Sequence, residues 1–190
     1  MKVGSAYGIN TKWGGKNTTD AACQEFVRQN PGAEFVDNIN YGVVKLWHVR
    51  WFNKKAIRTI AEGIQDLDIL FTHSNGANYT MQALKLLKKE GRENPNLTII
   101  HCSPALNRRQ SLHKYKFKKM VCFHSRADWT VRLSSILIFH PFGSAGAKGI
   151  IPRKKPEPRL VNEYIKGIGH SDWYTELALP SWIKKTKKHL

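Results

Sequence analysis

The sequence predicts an α/β protein with a doubly wound, mostly parallel sheet of six strands and helices on both faces. Three observations carry this expectation. Extended apolar segments alternate with amphipathic helical ones along the chain. Two of the extended segments, Ile69-Leu70-Phe71 and Leu97-Thr98-Ile99-Ile100, run without polar alternation, as strands covered on both faces do. The length of 190 residues, with 41% hydrophobic and 24% charged residues, suits one domain over 1–190 with a substantial core.

The elements follow in order. Lys2 to Asn10 opens with a short strand of small residues and ends in a glycine turn. Trp13 to Asp20 is a polar loop closing in helix-capping residues, and a helix is expected from Ala21 to about Gln29, stopped by Asn30-Pro31-Gly32. Ala33 to Ile39 reads as the second strand, broken by Asn40-Tyr41-Gly42. Apolar residues at Trp47, Trp51, Ala56, Ile60 and Ile64 recur at helical spacing. The third strand runs through Ile69-Leu70-Phe71. After it, Ala77, Met81, Ala83, Leu84 and Leu87 mark one helical face, with Lys85, Lys88 and Lys89 on the other. Leu97 to Cys102 is the fourth strand. Ala105 to Lys119 then carries Arg108, Arg109, Lys114, Lys116, Lys118 and Lys119 and no acidic residue.

Met120 to His124 is the fifth strand and Leu160 to Ile168 the sixth. Between them, Ser134 to Phe139 reads as part of a helix, and Phe142 to Pro158 as irregular. Gly143 to Gly149 lacks the Lys-Ser/Thr pair of a phosphate loop and reads as a flexible loop. A last helix is expected from about Tyr174, interrupted at Pro180. It ends in a run of lysines that suits the helix dipole.

Ser74 stands between the carboxyl end of the third strand and the helix that follows. That turn lifts its hydroxyl out of the sheet and aims the helix's leading N–H groups at whatever the hydroxyl attacks. His73-Ser74-Asn75-Gly76 resembles the second half of the G-x-S-x-G nucleophile elbow of the α/β-hydrolases, with Thr72 in place of the first glycine. The resemblance implies a truncated version of that fold, six strands of the usual eight, and a largely open, lidless site because the 105–119 connection is short. It also implies a chain order of nucleophile, acid and base. Ser74, Asp128 and His170 meet that order, each just past a strand end. By the same resemblance Tyr7-Gly8 occupies the oxyanion slot, making the backbone N–H groups of Ile9 and Asn75 the expected donors. Asn10, Trp13, Tyr79, Trp129, Phe142 and Trp173 neighbour these positions and are candidates to line an acyl pocket.

The expected chemistry is serine-dependent cleavage of a carboxylic ester through an acyl-enzyme, esterase- or lipase-like, on a small-molecule or lipid ester. Thioesters and amides lie within the same chemistry. No cofactor is expected. Of the other acids, Asp172 reads as a cap for the last helix and Asp68 as paired at the start of its strand. His73 is expected to point away from Ser74. His124, Asp128, His170 and Asp172 lack the spacing of a metal site.

Cys23, Cys102 and Cys122 are scattered and read as reduced core residues. Neither a signal peptide nor an apolar run of spanning length is seen, so a cytoplasmic protein is expected. With 31 Lys and Arg against 14 Asp and Glu, the net charge is +17. Such a balance favours anionic partners, including an anionic substrate. It keeps open a second reading, a non-catalytic protein binding nucleic acid or another anionic partner through its basic surface.

Overall fold

A computed structural model describes residues 1–8, 17–43, 53–137 and 143–190. Ile9, Asn10, Trp13 and Phe142, and the expected helix before residue 53, lie outside the described residues.

The principal sheet is built from β1 (Lys2–Ala6), β2 (Glu34–Asn38), β3 (Ile69–His73), β4 (Thr98–Cys102), β6 (Lys119–His124) and β8 (Leu160–Tyr164). Its order is β2-β1-β3-β4-β6-β8, and every pairing is parallel. β3 and β4 are wholly buried, as their unbroken apolar runs require. From β1 the chain moves outward to β2, then returns across β1 to place β3 on its other side. That reversal opens a crevice at the carboxyl ends of β1 and β3, where open α/β sheets gather their sites.

Helices cover both faces. α1 (Thr19–Gln29) and α6 (Ala178–Thr186) pack through Ala22, Cys23, Phe26, Trp182 and Ile183 onto Val3, Ile69, Phe71 and Phe123. α2 (Lys54–Gly63), α3 (Asn75–Glu90), α4 (Trp129–Leu137) and α5 (Ala145–Lys148) lie against the opposite face, over Ala6, Leu70, Ile99, Met120 and Cys122. Asn53 starts α2 by accepting from Ala56 N–H at 3.1 Å. Gly91, at φ 68°, ends α3 in the left-handed conformation that glycine adopts without strain. No helix among the described residues is long and apolar enough to cross a membrane.

Three expectations are corrected. The glycine-rich 143–149 stretch is not a loose loop: it contains α5 and leads into β7 (Ile151–Pro152), which pairs with β5 (Arg109–Gln110). Its glycines serve close packing. A Cβ on Gly143 would lie 2.6 Å from Leu106 O, and one on Gly146 3.1 Å from Asp128 Oδ2. Pro180 does not interrupt the last helix. It sits in the first turn of α6, where no intrahelical acceptor awaits its missing N–H. Asp172 caps no long helix; it begins a short 3-10 turn over Asp172–Tyr174 and accepts from Gly169 N–H at 3.0 Å, closing the loop that carries His170.

Candidate active site

Ser74 is the hinge between β3 and α3. Its backbone is at φ 52° and ψ −123°, a conformation costly for a residue with a Cβ. What holds it there is packing. A Cβ on Gly76 would fall 2.5 Å from Tyr7 O and closer still to Ala6 O, so only glycine lets α3 start this near β1. Gly8 does the same from the other strand, since a Cβ there would meet Ser74 Cβ at 2.9 Å. Thr72, which replaces the elbow's first glycine, uses its hydroxyl: Oγ1 is 2.6 Å from Nδ1 of the buried His101 on β4.

Three side chains from three strand ends meet in a line. Ser74 Oγ, after β3, is 3.0 Å from His170 Nε2. His170, after β8, places its Nδ1 2.9 Å from Asp128 Oδ2, and Asp128, after β6, is fully buried. A carboxylate can only accept, so Nδ1–H donates to Asp128 and the serine hydroxyl donates to Nε2. Asp128 also accepts from Ser103 Oγ–H and from Val131 N–H at 3.0 Å. Burial works to raise its pKa, but the bond and charge of His170, with the Ser103 and Val131 donors, outweigh it and hold the carboxyl below its ordinary value.

Two supporting residues carry no such role in the sequence reading. Ser103, at the end of β4, sits at φ 48°; among the described residues it and Ser74 are the only non-glycine positions with positive φ, and both flank this edge of the sheet. Their placement one residue past neighbouring strands was the available signal. His73, beside Ser74 in the elbow, supports His170. Its Nε2 is 3.0 Å from His170 O, its ring lies 4.8 Å from the His170 ring, and Tyr174 packs edge-on against its other side at 5.1 Å.

The remaining candidates are dispersed. Asn75 opens α3, so its N–H is a leading helix donor beyond the reach of any i−4 carbonyl. Tyr79 is buried against Tyr41, and Trp173 is buried between Phe123 and Trp182; both are core side chains. Trp129 is 60% exposed, with the Arg132 guanidinium 4.2 Å over its ring. Asp68 Oδ2 accepts from Lys2 N–H at 2.7 Å, joining the starts of β3 and β1. Among the described residues no group of three or more His, Cys, Asp or Glu is arranged to hold a metal ion.

No family model matches the sequence, and no curated protein matches it. Solved structures do resemble it. A hyperthermophilic esterase of the archaeon Pyrobaculum calidifontis aligns with a TM-score of 0.58 over 98% of this chain and 74% of its own, at 13% identity. A CIB-like hydrolase of Thermoplasma acidophilum aligns at 0.54 over 98% and 84%, also at 13% identity. The esterase domain of a Rhodothermus marinus protein aligns at 0.52 over 98% and 86%, at 10% identity. The chain has the α/β-hydrolase fold. In this α/β-hydrolase scaffold the hydroxyl–imidazole–carboxylate line stands over the crevice between β1 and β3 and extends across β4 to β6 and β8.

Two buried histidines beneath the site are expected to make the fold acid-sensitive. Burial lowers the pKa of both His73 and His101 to about 3, with the charge of His170 adding to the effect at His73. In the unfolded chain each takes up a proton near the ordinary value of about 6.5, whereas in the folded chain each stays neutral until far lower pH. The unfolded state therefore binds more protons in that window. Stability is expected to fall as pH drops from about 6.5 toward 3, by up to about 1.4 kcal/mol per pH unit for each histidine. Asp128, with its depressed pKa, adds a loss once pH falls below the ordinary aspartate range. Urea denaturation at about pH 7, 6 and 5 measures this, and a flat unfolding free energy across the series would contradict it.

Proposed function

We propose that this chain is a serine hydrolase that cleaves a carboxylic ester through an acyl-enzyme, acting as one catalytic domain. The observation that carries the reading is the Ser74–His170–Asp128 line, with hydrogen-bond distances of 3.0 and 2.9 Å at its two links. A hydroxyl, an imidazole and a buried carboxylate in that sequence are the parts nucleophilic acyl transfer needs. The esterases and hydrolases among the fold's structural neighbours agree with it.

Ser74 Oγ attacks the carbonyl carbon while His170 Nε2 takes its proton. Asp128 holds the imidazole in the tautomer with a free Nε2 lone pair and stabilises the imidazolium as it forms. The tetrahedral oxyanion accepts from the N–H of Asn75, at the positive end of α3, and from the N–H of Ile9. The imidazolium returns its proton to the leaving alkoxide, which departs and leaves an ester on Ser74. Water, deprotonated by the same His170, then releases the acid. The strained Ser74 backbone holds the hydroxyl 3.0 Å from Nε2 at the very start of α3, which Asn75 opens.

A fluorophosphonate probe tests the reading directly. It is expected to label the native chain at Ser74 and to leave Ser74→Ala unlabelled, alongside hydrolysis of short-chain chromogenic esters by the native chain alone. A native chain that neither takes the probe nor turns over any ester of a chain-length panel would overturn it.

A further inference from the structure

Beside the candidate active site lies an open cavity of about 410 Å³ lined by Arg108, His124, Arg126, Arg132, Ala147 and Lys148. Among the described residues its lining includes no carboxylate, nor any of Ser74, Asp128 and His170. Four permanent cations and an imidazole thus converge on one concavity. Like charges on a surface ordinarily spread apart, so convergence needs something to hold them.

The structure supplies that hold, and for Arg108, Arg126 and Lys148 it does so without a carboxylate partner. Arg108 donates through Nε to the carbonyls of Lys148 and Gly149 at 3.2 and 3.3 Å, which anchors one edge of its guanidinium at the end of α5. Arg126 stands 5.9 Å from the Tyr164 ring centroid, and Arg132 4.2 Å from that of Trp129. Among the described residues no carboxylate forms an ion pair with Arg108, Arg126 or Lys148. Burial lowers the pKa of His124, a hydrogen bond from its ring to the Ala147 backbone opposes this, and the charges of Arg108 and Arg126 lower it further, so both guanidinium groups bear on the imidazole. Glu163, an acid whose charge acts on His124, is engaged by His189 Nε2 at 2.8 Å.

We propose that this cavity is a binding site for a phosphoryl-bearing anion, separate from the Ser74 site. A single carboxylate is satisfied by one guanidinium fork. Several cations around one small cavity call for an anion with more charge and more acceptor oxygens, as a phosphomonoester or diphosphate has. The volume suits a small molecule or a headgroup. Arg132, which lines the cavity, lies 4.2 Å over the ring of the exposed Trp129, so an aromatic surface adjoins the cation cluster.

Calorimetric titration with inorganic pyrophosphate tests the site. Arg126→Gln/Lys148→Gln removes two exposed lining cations, and Lys184→Gln/Lys188→Gln removes the same charge from exposed positions at the end of the chain. The native chain and the second variant are expected to bind one pyrophosphate each. The cavity variant should bind about ten-fold more weakly or worse while melting at the native temperature. No binding by the native chain, or equal weakening in both variants, would overturn the proposal and leave only the general surface potential. Vesicles of phosphatidylcholine doped with phosphatidic acid separate the two sources of the phosphoryl group. Retention that the cavity variant alone loses places it on a lipid, and pyrophosphate binding without retention places it on a soluble molecule. Retention of only a single-stranded oligonucleotide, equally reduced in both variants, counts against the site.

Discussion

Replacing His170 with alanine is expected to lower kcat on an ester by about 10⁵–10⁶-fold, and Asp128→Asn by about 10⁴-fold. His170 is the shared member of both links, at 3.0 Å from Ser74 Oγ and 2.9 Å from Asp128 Oδ2. In the proposed mechanism its loss leaves the hydroxyl with no base and the carboxylate with nothing to orient. An asparagine at 128 fills the same space and can still accept from Val131 N–H. Its amide, however, offers no charge to an imidazolium and permits the wrong tautomer. Because the three groups act as a unit, the double variant should be no slower than His170→Ala alone. Steady-state turnover of the three proteins on one chromogenic ester decides the matter. Losses that multiply would mean that Asp128 works independently of His170.

The second large effect is on stability. Gly76→Ala is expected to cost about 2–4 kcal/mol, or a fall in Tm on the order of 5–15 °C, and to remove activity with it. The added methyl would stand 2.5 Å from Tyr7 O and nearer to Ala6 O. Those carbonyls belong to the end of β1, which is fixed between β2 and β3 by parallel ladders. Neither can retreat, so α3 must swing away from the sheet, and Ser74 moves with it. Near-native melting of Gly76→Ala, within about 1 °C, would show that the elbow is looser than the packing indicates.

Much of this architecture could be read from residue pattern. Strands β3 and β4 declared themselves because burial on both faces forbids polar alternation, and α3 because Met81, Leu84 and Leu87 alternate with exposed lysines. The meeting of Ser74, Asp128 and His170 was legible because each follows a strand, and parallel strands deliver their carboxyl ends to one edge. What escaped was long-range packing. Gly143 and Gly146 look like flexibility in one dimension; only the fold shows Leu106 and Asp128 pressed against them. Pro180 looks like a helix breaker until the true start of α6 places it in the first turn. Tyr79 and Trp173 adjoin functional residues in sequence, yet their size sends them inward. Ser103 follows a strand as Ser74 does, but its role escaped because its partner is met only when β4 and β6 lie side by side.

The all-parallel ladder governs how the molecule comes into being. Val3 pairs with Ile69, Ile69 with Thr98, Thr98 with Lys119 and Met120 with Leu160, so no neighbour in the sheet is reached by a tight hairpin. Each closure surrenders chain entropy before any backbone bond repays it, which makes assembly slow and fragments of the sheet unstable by themselves. The proposed base, His170, follows the edge strand β8, the last strand of the chain. Recovery of turnover during refolding would therefore mark the arrival of that final strand rather than the early collapse of the interior.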